Sequence, residues 1–153
     1  MKKLPLLSYL CFTALLPLLS CSDDNAKMDG PAPAMHTVKV RYTGAKLDDL
    51  GAYVNAGCNQ EDGSGPTKNM DTDISGGTAK GTITTYKVLT SKDYYVTLAF
   101  KRIKAGNRVP PGAYLKADIL VDDVLRKSIR IDNTITPSTL CVMEQATIQH
   151  DEW

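Results

Sequence analysis

The chain has 153 residues, with 18 Lys and Arg against 17 Asp and Glu and a formal charge of +1. A balance this close to zero gives no bulk attraction to nucleic acid or to an anionic membrane. No basic stripe with interleaved aromatics runs along the sequence either, so nucleic acid is excluded as an expected partner.

Lys2 and Lys3 open the chain, and Leu4 to Leu19 form an almost unbroken apolar run that ends in the small residue Ser20. A basic start, an apolar middle and a small residue before a cut describe a secretory signal. The run is about 16 residues, short of the roughly 20 that a membrane-spanning helix needs. Pro5 and Pro17 also disfavour a permanent helix. The run ends in Leu18-Leu19-Ser20-Cys21, which resembles the lipobox of bacterial lipoproteins. The resemblance implies that residues 1–20 are removed and that the Cys21 thiol carries diacylglycerol. The protein would then be held on the bacterial outer membrane through lipid on Cys21. Several acyl chains, each contributing about 0.8 kcal/mol per buried CH2, make such an anchor firm. Ser22-Asp23-Asp24-Asn25 is similar to the export signal that sends some lipoproteins to the cell surface; it reads equally as a solvated acidic spacer facing the periplasm. Residues 21–35, with Gly30-Pro31-Ala32-Pro33-Ala34, have the composition of a tether. Losing Lys2 and Lys3 with the leader leaves 16 basic residues against 17 acidic, a mature charge of −1.

From His36 about 115 residues remain, enough for one domain with a single core. His36 to Thr43 alternates, with Val38, Val40 and Tyr42 on one face, and predicts a half-buried strand. Leu50 to Ala56 repeats the pattern, and Cys58 lies in phase with its inward residues. Asn59 to Gly77 is polar and glycine-rich and predicts a long loop. Glu61, Asp62, Asp71 and Asp73 within it are oxygen ligands of the kind calcium takes, but their spacing is not that of an EF-hand, and a solvated acidic loop is the favoured reading.

Gly81 to Leu89 predicts a Thr-rich strand whose inward face is not assignable. Tyr94 to Ile103 follows, with Val96, Leu98 and Phe100 on one side. Pro110-Pro111-Gly112 interrupts the chain, and Ala113 to Val121 then gives the clearest alternation in the protein. Asp122-Asp123 predicts a two-residue hairpin into Leu125 to Ile131. After Pro137, Leu140 to Gln149 supplies a last strand, from whose apolar phase Cys141 departs. Seven strands and no amphipathic helix predict an all-β domain over residues 36–153, a single seven-strand immunoglobulin-like β-sandwich. Two features depart from true immunoglobulin domains: the one tryptophan is Trp153, and the cysteines fall on the second and last strands.

Of four cysteines, Cys11 leaves with the leader and Cys21 takes lipid, so Cys58 and Cys141 remain. In an exported domain a Cys58–Cys141 disulfide is the expectation, closing a loop of roughly 80 residues and contributing about 4 kcal/mol. Two thiols buried in apolar surroundings are the alternative. Neither CxxC nor a histidine pair is present, so no metal site is expected.

Val38 to Gly44 and the hairpin around Ile119 to Asp123 are similar to small MmpS-like membrane-associated β-sandwich proteins. That family carries a late cysteine, which Cys141 would match, and the resemblance implies an accessory or binding role in the envelope. No catalytic constellation accompanies it. His36 and His150 lie near the two ends of the domain, outside GxSxG or HExxH contexts. Asp48-Asp49 and Asp122-Asp123 sit in turns, where Asp is favoured for backbone reasons. No catalytic residue and no cofactor is expected. Tyr94, Tyr95 and Tyr114 are the candidate binding residues, since exposed tyrosines stack on sugars or anchor protein contacts; outer-face strand residues suited to a sheet are the favoured reading. The expected function is a lipid-anchored, non-catalytic binding or accessory module for a glycan or an envelope protein. A structural subunit of an envelope assembly is the alternative, and a small hydrolase is a third reading.

Overall fold

Period-two sequence becomes strand throughout the described residues, which in this computed structural model are 34–59, 66–104, 106–136 and 141–153. They belong to one compact unit, Ala32–Trp153. Eight strands form: β1 (Met35–Ala45), β2 (Ala52–Asn59), β3 (Pro66–Ile74), β4 (Thr78–Leu89), β5 (Tyr94–Phe100), β6 (Tyr114–Val121), β7 (Val124–Asp132) and β8 (Val142–Ile148). A first sheet has the order β4-β1-β6-β7 and a second the order β3-β2-β5-β8, all pairs antiparallel. The lipobox and most of the expected tether lie outside the described residues.

The core is made by the inward residues of the two sheets. Val38, Val40, Leu115, Ile119 and Ile131 of the first meet Val54, Val96, Leu98, Phe100 and Ile148 of the second, all fully buried. Each such side chain contributes roughly 1.5–3 kcal/mol on leaving water. The β6–β7 hairpin is the expected one. Asp122 and Asp123 both have positive φ, 48° and 67°. That is the left-handed pair a two-residue turn needs to match strand twist. The turn is pinned to the start of β1: the Asp122 amide donates to the Thr37 carbonyl at 2.9 Å, and the Thr37 amide donates to the Asp122 carboxylate at 2.9 Å.

The strand count is eight rather than seven, because residues 66–74, expected within a loop, form β3. Their inward residues Met70, Thr72 and Ile74 are only half-buried at the sheet edge, so the apolar alternation that marks other strands is faint. On β4 the inward residues are Ile83, Thr85 and Val88. The register jumps from Val38–Thr85 to His36–Val88, so Tyr86 and Lys87 together oppose Thr37. This β-bulge shifts the phase by one and hid the inward face from a period-two reading.

The expected Cys58–Cys141 bridge is incompatible with the register. Cys58 pairs with Tyr94 and Tyr94 with Ile148, at the end of the sandwich where β1 begins. Cys141 precedes Val142, which pairs with Phe100 at the opposite end. Seven residues of β8 separate the two levels, roughly 23 Å at 3.3 Å per residue. A disulfide holds its Cα atoms within about 7 Å. The two cysteines therefore do not bridge each other: β2 ends at the level where β8 also ends, and Cys141 comes before β8 starts.

Tyr94 is fully buried, and its hydroxyl shares a 2.9 Å hydrogen bond with Thr85 Oγ1 from the facing sheet. Burial pushes its pKa up to about 12. A phenol raised in this way supports the fold below about pH 10, and that support is lost as pH rises toward 12. Tyr94→Phe is expected to lower stability by about 1–2 kcal/mol in urea unfolding, by leaving Thr85 without its partner. The same variant should show a smaller alkaline loss than the wild type between pH 10 and 12.

Candidate functional site: the outer face of the second sheet

Alternation on β2 sends Ala52, Val54, Ala56 and Cys58 into the core and therefore Tyr53, Asn55 and Gly57 outward. The register then assembles three rows across the sheet. Asn69, Gly57, Tyr95 and Thr147 form one. Asp71, Asn55, Thr97 and Gln145 form the next, and Asp73, Tyr53, Ala99 and Met143 the third. None of the twelve is Lys or Arg. Neighbours lie about 4.8 Å apart between strands and about 6.7 Å apart along one face of a strand.

A hydrogen-bond network ties the β3 side of this face together. Tyr53 donates its hydroxyl proton to Asp71, and the Asn55 amide donates to both Asn69 and Asp71. Lys101 donates to Asp73 at 2.8 Å while its ammonium sits 3.5 Å above the Tyr53 ring. Thr97 donates to Gln145 at 3.3 Å. Asn55 and Thr85 are the buried polar residues among those described, and both are bonded.

Charge follows the bonds. Burial, then the hydrogen bond to Asp71, pushes the Tyr53 phenol up to about 12. Donation from Tyr53 and Asn55 holds the Asp71 carboxyl below its usual range. Tyr95 is raised by burial and by the negative charge of Asp71. Gly57, between Asn69 and Tyr95 in the top row, has no side chain to stand between them.

The three candidate tyrosines do not converge. Tyr94 is no surface contact: it points into the core, in phase with Val96, Leu98 and Phe100, and that phase was readable in the sequence. Tyr95 lies half-buried on the face just described. Tyr114 lies on the outer face of the other sheet, with the Arg130 guanidinium 4.3 Å over its ring. Tyr53, Asn55 and Asn69 were not singled out, and Asp71 was weighed only as a calcium ligand, because the partner strand β3 was not foreseen. The signal that would have found them is the run Asn69, Asp71, Asp73 at every second position, interleaved with Met70 and Ile74.

Of the acids weighed as calcium ligands, Glu61 and Asp62 lie outside the described residues, while Asp71 and Asp73 are engaged in the network above. Among the described residues no group of three or more His, Cys, Asp or Glu is placed to hold a metal ion. His36 stacks on Trp153 with ring centroids 5.3 Å apart and places Nδ1 2.6 Å from Asp122. His150 lies 3.4 Å from Asp93. His36 thus ties the C-terminus to the hairpin, whereas the His150 side chain is exposed and its amide, donating to Asp93 at 2.9 Å, holds the closing turn to the loop before β5.

A flat surface of amides, carboxylates, hydroxyls and phenols offers donors and acceptors in both directions and a ring edge for stacking. That chemistry suits a ligand rich in hydroxyl groups. Comparison with protein-family models, with curated proteins and with solved structures finds no match.

Asp71→Asn removes the charge that holds the Tyr53 proton. In that variant the Tyr53 pKa is expected to fall below about 12 but to stay above 10, because burial, the larger cause, remains; ultraviolet titration of the phenolates follows it. Stability conferred by the raised phenol, present below about pH 10 and lost toward pH 12, should shrink with it.

Proposed function

We propose that this chain is a lipid-anchored lipoprotein of the bacterial outer membrane, facing the periplasm or the cell surface. Its β-sandwich serves as a non-catalytic binding or accessory module, and its ligand is a glycan read by the outer face of the second sheet. The observation that carries the binding role is the ordered Tyr53–Asp71–Asn55–Asn69 network on an open face with no cationic residue among its twelve positions. Fixed donors and acceptors of this kind lower the ordering cost of binding. The lipobox at Leu18 to Cys21 supports the location. The same reading takes the domain as one of the small MmpS-like, immunoglobulin-like envelope sandwiches. Two facing antiparallel sheets and the late Cys141 support that likeness.

Intact mass of membrane-extracted protein tests the anchor. The expected species begins at Cys21 with acyl chains attached, and Cys21→Ala should move the protein to the soluble fraction. An unmodified residue 21 contradicts the reading. For the ligand, retention on immobilised cell-envelope polysaccharide should fall at least tenfold in Tyr95→Ala and stay unchanged in Tyr114→Ala. Equal loss in both variants, or no retention of the wild type, contradicts it.

A further inference from the structure

Near-neutral composition conceals a sorting of charge between the two sheets. The outer face of the first sheet carries Lys39, Arg41, Lys80, Lys116 and Arg130 against Asp118, Asp132 and the Asp123 carboxylate that meets Lys39, a net of +2. The opposite face carries Asp71 and Asp73 and no Lys or Arg in its twelve positions, and the ammonium of Lys101, reaching over Tyr53 to Asp73, leaves it a net of −1. A shallow depression of about 380 Å³ opens in the cationic face, lined by Arg41, Thr43, Lys80, Thr82 and Asp118. Arg41 approaches the carboxylate of Asp123 only at 3.9 Å.

Exposed apolar side chains are sorted as well. Met35, Tyr86, Val124 and Leu125 are 57–64% exposed, and all four belong to β1, β4 and β7 of this same sheet. They lie at one end of the sandwich, where β1 begins, β4 finishes and the β6–β7 hairpin turns. Met143 is the one other large exposed apolar residue among those described, and it lies on the second sheet. Met35 is also where the chain arrives from Cys21, fourteen residues upstream. Fully extended, that segment reaches about 48 Å.

We infer that the outer face of the first sheet, with its Met35–Tyr86–Val124–Leu125 end, docks onto the anionic bilayer that holds the acyl chains of Cys21. This rests on the acyl-anchor reading above. Cations on a face and apolar side chains at its rim are the pair of features an anionic lipid surface takes up: headgroup phosphates meet Arg41 and Lys80, and the apolar rim enters the interface. A short tether raises the local concentration of surface so far that a weak contact suffices. Of the hairpin acids, Asp123 is engaged by Lys39 and Asp122 by His36 at 2.6 Å each, so Arg41 and Lys80 are the cations of this face that meet the headgroups. Docked in this way, the domain presents the second sheet's outer face away from the membrane.

The single tryptophan is a native reporter, since Trp153 stacks on His36 and donates to the Lys92 carbonyl at this same end. Full lipidated protein would be placed in vesicles of phosphatidylcholine alone or with phosphatidylglycerol, each containing headgroup spin-labelled lipid. Trp153 fluorescence should be quenched at least twofold more in the anionic vesicles, and raised salt should abolish the difference. Arg41→Glu with Lys80→Glu should do the same without shifting the thermal midpoint by more than a few degrees. Protein that floats with the vesicles while Trp153 gives the same signal in both lipids overturns docking and leaves the anchor standing. Protein that does not float overturns the anchor and the docking with it. Salt-sensitive cross-linked oligomers with unquenched Trp153 would assign the cationic face to a second copy and overturn the inference.

Discussion

The two inner faces bury each other, and every other feature of the domain follows from that. Val38 and Val40 on β1, Leu115 and Ile119 on β6, and Val96 and Leu98 on β5 are all fully enclosed. Side chains alternate strictly along a strand, so a slip of one residue would turn each of these sets into water. Register is therefore specified strand by strand, and the outward residues have no freedom of their own. Tyr53 and Asn55 stand outside because Ala52, Val54 and Ala56 must be inside. The same necessity gathers Lys39, Arg41, Lys116 and Arg130 on the other surface.

A sandwich leaves its sides open, and here charged inward positions close one of them. Lys127 points toward the interior from the edge strand β7, pairing with Ile119 in register. Its ammonium donates to the Thr147 carbonyl on the facing edge strand at 2.7 Å and meets Glu152 at 2.6 Å. An inward lysine on an edge is a device against pairing with another chain. Glu152 also accepts from the Gln149 amide at 2.7 Å, so the closing chain turn is ordered by the same carboxylate. That turn carries Trp153 onto His36, which in turn meets Asp122 of the hairpin. The end of the domain where β1 begins is thus knitted together by polar contacts, while the strands between rely on apolar burial.

Much of this was legible from residue order. Branched apolar residues at every second position marked β1, β2, β5, β6 and β7, and paired aspartates marked the hairpin. The phase of β2 put Cys58 inside, as found. What escaped were features that depend on neighbours. β3 carries amides and acids outward and only Met70, Thr72 and Ile74 inward, so its alternation is faint in the sequence and becomes plain only through its pairing with β2. The bulge at Tyr86 and Lys87 resets the phase of β4, and Lys87 takes a positive φ of 57° to do so. The disulfide expectation failed because spacing along the chain does not say which end of a sheet a residue occupies. The charge sorting was hidden for the same reason: Arg41 and Lys116 sit near each other only because β1 and β6 pair.

The assignment of a binding face depends above all on β3 pairing with β2 in one register, since that alone sets Asn69, Asp71 and Asp73 beside Gly57, Asn55 and Tyr53. Cross-strand nuclear Overhauser contacts in solution measure this directly. Contacts linking Asn55 with Asp71 and Gly57 with Asn69 are the expected result. Contacts displaced by one residue, Asn55 with Met70 or Thr72, or no contacts from residues 69–73 to β2 at all, would dissolve the polar network and contradict the account.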